Sequence, residues 1–148
     1  MVRFKNRYFV IQFDREKDLI DACSSKAKGR STQHFKSRAR HDSKPLDIPD
    51  GVLANAVKDI VEHLHGDFGR ASITTGLKTI YCNPETHLAL IRCRHGPHRL
   101  VGSSLPFLTQ LDKEKVVPKL IYTGATIKHC YKVHTYLHQF AVQSSKCL

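Results

Sequence analysis

Apolar and polar positions alternate at the start of the chain. Arg3, Lys5 and Arg7 fall on one side of a two-residue period, with Phe4, Tyr8 and Val10 on the other, which predicts a strand ending near Phe13. Large apolar residues are then nearly absent over residues 23–45, Phe35 excepted. Leu53, Ala56, Val57, Ile60, Val61 and Leu64 recur at spacings of three and four, which predicts an amphipathic helix. Asp47 or Asp50 suits its cap, Pro49 its first turn and Gly66 a left-handed exit. Ile73, Leu77 and Tyr81 predict a strand over residues 71–81, residues 82–86 (Cys-Asn-Pro-Glu-Thr) supply turn chemistry, and Leu88–Arg94 completes a hairpin. After Gly96-Pro97, the stripe Leu100, Val101, Leu105, Leu108 and Leu111 predicts a second helix, kinked by Pro106. Leu120, Ile121 and Tyr122 predict a short strand after Pro118. A last helix follows, capped by Thr126 and carrying Ile127, Cys130, Tyr131, His134, Leu137 and Ala141.

Strand, helix, strand, strand, helix, strand is the order of an α+β fold of the ferredoxin-like (RRM-like) split βαββαβ type. Its sheet is antiparallel with helices on one face, and the extra C-terminal helix is placed to cover the other. We expect residues 1–148 to form a single RNA-associated domain with a basic insertion loop at about residues 23–46.

Charge sharpens this picture. The 24 Lys and Arg outnumber the 13 Asp and Glu, giving a formal charge of +11 that self-repels unless a polyanion neutralises it. Arg3, Lys5 and Arg7 form a row on one strand face, and Arg92 and Arg94 repeat the pattern on another strand. Phosphate contacts suit such a surface better than base reading, because Leu88–Arg94 has no aromatic residue on which a base could stack. A solvated edge strand that uses cations to block unwanted pairing is the plainer alternative. Within the basic segment, Lys36, Arg38 and Arg40 suit either a phosphate backbone or a nuclear import signal.

Other chemistry finds little footing. The longest apolar runs are far short of a membrane-spanning helix, so no membrane partner is expected. With no signal-peptide core at the N-terminus, the chain is expected in cytosol or nucleus. Five scattered cysteines, an odd number, argue for reduced thiols. His63, His65, Cys82, His87, Cys93, His95 and His98 are metal-ligand types without a closed zinc spacing, so no metal site is expected. His129 and Cys130 are helix neighbours pointing about 100° apart and cannot act as a dyad. No catalytic residue is identified.

Several short motifs, in order, resemble the Pop-five subunit family of ribonuclease P and ribonuclease MRP. They are residues 1–8 (Met-Val-Arg-Phe-Lys-Asn-Arg-Tyr), 65–69 (His-Gly-Asp-Phe-Gly), 81–83 (Tyr-Cys-Asn) with Thr86, 90–94 (Leu-Ile-Arg-Cys-Arg), 104–109 (Ser-Leu-Pro-Phe-Leu-Thr) and 124–128 (Gly-Ala-Thr-Ile-Lys). The resemblance implies a non-catalytic protein that braces a catalytic RNA during cleavage of precursor tRNA, or of precursor rRNA in the MRP particle. It also implies other protein subunits as partners and a nuclear, nucleolar location. No cofactor is expected on this chain, and Mg2+ is expected at the RNA active site. Carried over by position, Arg3, Lys5, Arg7, Arg92, Arg94 and Lys128 become RNA-contact candidates. Gly66 and Gly69 shape a turn, and Leu105, Pro106 and Phe107 become a candidate protein interface. A protein–protein adaptor in an RNA-processing complex, without direct RNA contact, is the alternative.

Overall fold

Phe9, Ile11 and Phe13, all essentially buried, alternate with Val10 along one strand, so both faces of that strand are covered. This is the central strand of the computed structural model, which describes residues 5–17, 19–20 and 48–146. The elements are β1 (Asn6–Arg15), α1 (Asp50–Thr74), β2 (Lys78–Asn83), β3 (Leu88–Arg94) and α2 (His98–Ser104), then a 3-10 turn (Leu105–Phe107), β4 (Gln110–Leu111), β5 (Glu114–Gly124) and α3 (Ile127–Lys146). The strand order is β2-β3-β1-β5-β4, with every pairing antiparallel. This is the ferredoxin-like arrangement with a two-residue strand added at one edge.

One face of the sheet packs Phe9, Ile11, Phe13, Ile91 and Cys93 against Leu53, Val57, Val61 and Ile73 of α1 and Val101 of α2. The other face packs Val10, Leu88 and Leu90 with Tyr8, Tyr81 and Tyr122 against Cys130, Ile127 and Leu137 of α3. The C-terminal helix therefore covers the second face as its apolar stripe predicts. Tyr81 meets the His134 ring edge-on at 5.4 Å.

Several boundaries differ from expectation. The first strand runs to Arg15, and β5 begins at Glu114, well before Pro118. Proline is tolerated there because Phe13 pairs with Pro118 on one side while β4 reaches only Glu114 and Lys115 on the other. The predicted end of α1 at Gly66 is a kink instead. Gly66 has φ +68° and ψ −168°, and a second helical segment continues to Thr74. Gly69 permits the close approach, since a Cβ there would lie 2.6 Å from Cβ of His65. Ile73 is thus a buried helical residue, and the strand starts at Lys78 rather than within 71–77. Pro49 is the cap of α1, with no side-chain cap, and Asp47 lies outside the described residues. The predicted second helix stops at Ser104. Pro106 sits in the 3-10 turn, and Leu111 belongs to β4. Local turn chemistry behaves as expected at Asn83, whose Oδ1 accepts from the backbone N–H of Glu85 at 2.8 Å and of Thr86 at 3.3 Å. Thr126 stands just before α3, its Oγ1 2.7 Å from Nδ1 of His129 and its carbonyl accepting from the Cys130 N–H.

Candidate nucleic-acid interface

Strand register decides where the candidate cations go. Arg7 pairs with Cys93 and Asn6 with Arg94, while the Lys5 carbonyl accepts from the His95 N–H at 2.8 Å. Residues opposite one another share a face, so Lys5, Arg7 and His95 lie on the α1/α2 face. Arg92 pairs with both Tyr8 and Lys78, which puts Arg92 and Lys78 on the α3 face, and Arg94 shares that side. The two cationic rows therefore stand on opposite faces of the sheet. What they share is an end: the start of β1 and β2, the finish of β3 and β5, and the first turns of α2 and α3. Lys128 is exposed in that first turn of α3.

The register also adds residues that the sequence reading missed. Lys78 comes in through its pairing with Arg92, and His95, His98 and Arg99 through the turn that joins β3 to α2. Arg94-His95-Gly96-Pro97-His98-Arg99 is visible as a basic run, but Lys78 is found only from the pairing. Arg94 lays its stem over Gly76, where a Cβ would come within 2.5 Å of its Cγ. Arg3, Lys36, Arg38 and Arg40 lie outside the described residues.

The two ends of the sheet differ in how their charges are matched. At the far end, Arg15 faces Glu114 at 3.9 Å and Lys115 faces Glu16 at 3.5 Å, while on α1 Arg70 bonds Asp59 at 3.1 Å and also Glu62. Asp14, Glu85 and Asp112 belong to that far end too. Among the described residues, Lys5, Arg7, Lys78, Arg92, Arg99 and Lys128 have no carboxylate partner. The Nε of Arg92 is shielded from solvent and lacks a hydrogen-bond partner among these residues. Such an end repels itself and attracts an anion. Arg7, ahead of burial and of His98, Lys5 and Arg99, pushes the His95 imidazole below its ordinary pKa.

Burial pushes the Cys93 thiol up to about 11 and raises that of Cys130, which keeps both protonated near neutrality. Among the described residues no group of three His, Cys, Asp or Glu is placed to hold a metal ion, and no helix is long and apolar enough to cross a membrane. Of the three interface candidates, Pro106 and Phe107 are exposed. Leu105, at 2% exposure, has its side chain in the core beneath the 3-10 turn.

Residues 7–134 match the Rpp14/Pop5 family. The chain belongs to that family. Its relatives include the ribonuclease P/MRP protein subunit POP5 of Bos taurus, 32% identical over 136 residues covering 89% of this chain and 66% of the relative. The POP5 subunits of Mus musculus (33% identical, 89% and 66% covered) and Danio rerio (35% identical, 89% and 68% covered) are similarly related. The chain thus spans about two thirds of the length of the mammalian relatives. In a cryo-EM structure of yeast ribonuclease MRP, one chain aligns with 100% of this chain and 99% of its own length, at 13% identity and a TM-score of 0.47. The family membership agrees with the resemblance carried by the short motifs.

Proposed function

We propose that this chain is a protein subunit of ribonuclease P, ribonuclease MRP or both, and that it braces the RNA without performing cleavage. The observation that carries this reading is the cationic end of the sheet, where Lys5, Arg7, Lys78 and Arg92 have no carboxylate partner among the described residues, set against a far end where carboxylates and cations are interspersed. A phosphate backbone crossing that end is met by Lys5 and Arg7 from one face and by Lys78 and Arg92 from the other, with Lys128 beside them. Helices cover the central strands on both faces, which leaves the strand ends as the place where these cations can meet a polynucleotide. Such contacts neutralise phosphates and fix orientation without reading sequence. The substrates this reading assigns to the assembled particle are precursor tRNA or precursor rRNA. Magnesium ions belong to the RNA active site, and the compartment is the nucleus, with the nucleolus for the MRP particle.

Exposed Phe107, 61% accessible on the 3-10 turn, supports a concurrent contact with another subunit. Purifying the tagged chain, sequencing the RNA that comes with it, and repeating this with Lys5→Glu, Arg7→Glu and Arg92→Glu combined separates the readings. RNA lost while protein partners stay bound is the expected result. Unchanged RNA with lost protein partners would instead make the chain an adaptor.

A further inference from the structure

Beside Lys5 and Arg7 lies a pair of histidines that the bracing reading does not use. His95 stands opposite Lys5 across the β1–β3 ladder and on the face of Arg7, and its ring stacks on that of His98 at 4.9 Å and 23°. His98 is fixed by its Nδ1, which donates to the His95 carbonyl. The Nδ1 of His95 is shielded from solvent and has no hydrogen-bond partner among the described residues. The charged and titratable groups acting on this imidazole are Arg7 and Lys5 from β1 and His98 and Arg99 from α2, every one a cation or potential cation. With Nδ1 shielded, the other ring nitrogen of this half-buried histidine is the one an anion can reach, and among those cations it suits an anion that accepts a hydrogen bond from it.

We propose that Lys5, Arg7, His95, His98 and Arg99 form a phosphodiester-binding site in which His95 takes up a proton as the phosphate docks. The inference rests on the RNA-bracing reading and deepens it, because it assigns one phosphate contact a pH dependence. In the free protein Arg7, ahead of burial and of His98, Lys5 and Arg99, favours the neutral form of His95. A docked phosphate cancels that repulsion and accepts the new N–H, so the imidazolium is favoured in the complex. The proton comes from solvent, no covalent bond changes, and affinity rises as pH falls through the interval between the free and bound pKa values of His95.

The test titrates the full-length chain with a labelled single-stranded oligouridylate by fluorescence anisotropy. It compares wild type with His95→Gln, alongside NMR titration of the His95 ring proton with and without the oligonucleotide. Between about pH 7.5 and about pH 5.5 the wild type is expected to tighten by up to about 10-fold more than His95→Gln, with the His95 titration moving to higher pH in the complex. Equal pH dependence in the two proteins, or an unmoved His95 titration in the wild type while RNA still binds, overturns the proton-linked site and leaves the bracing reading standing. Failure of the wild type to bind the oligouridylate at either pH overturns both.

Discussion

Gly66 shows how one residue redirects an element. Its φ of +68° with ψ of −168° is a backbone region that side chains other than glycine rarely enter, and no atom crowds the position where a Cβ would stand. The constraint is therefore purely conformational. Gly66→Ala is expected to lower unfolding free energy by about 1–3 kcal/mol in urea titrations, with little change in m, because the kink is strained but the core is untouched. The glycine was legible as a left-handed position. Its consequence was not: whether the chain leaves the helix or bends and resumes it depends on Gly69 admitting His65 and Val61 at close range.

At the scale of elements, helix α1 divides its apolar stripe unequally. Leu53, Val57 and Val61 are fully packed against the sheet, whereas Leu64, in the same periodic row, is 41% exposed just before the kink. Leu53→Ala should cost about 2–5 kcal/mol and Leu64→Ala less than about 1 kcal/mol, measured as the shift in chemical-denaturation midpoint. Equal losses would mean that the stripe packs as a continuous helix without the bend. The β3–α2 connection was the harder element to read. Leu105, Leu108 and Leu111 keep a helical-looking spacing, yet Pro106 and the pairing of Leu111 with Glu114 divide them among a 3-10 turn, a loop and a strand. All three are buried in one core cluster, so the apolar character was informative where the period was not.

For the whole molecule, charge is segregated along the strands. Carboxylates and cations are interspersed where β1 ends and β5 begins, with Arg15 facing Glu114 and Lys115 facing Glu16, and the opposite end is left positive. Binding to RNA should therefore be strongly salt-dependent. The log-log slope is expected to shrink by about 0.7–0.9 for each phosphate contact removed, so Arg7→Gln and Arg92→Gln each flatten it by a comparable step and together by about twice that. Filter binding across a salt series measures this, and a slope insensitive to both changes would place the RNA elsewhere. Because the two arginines lie on opposite faces, their effects should add.

The succession of the four main strands and three helices, the amphipathic C-terminal helix and the basic balance were legible in periodicity and composition, since those signals depend only on neighbours along the chain, whereas β4 was not. The candidate cations Lys5, Arg7, Arg92, Arg94 and Lys128 were visible for the same reason. Which face each occupies, the entry of Lys78 opposite Arg92 and the seating of His95 beside Lys5 were decided by antiparallel register. Register is a long-range property: a one-residue slip moves every side chain to the other face, and only packing of both faces against helices fixes it.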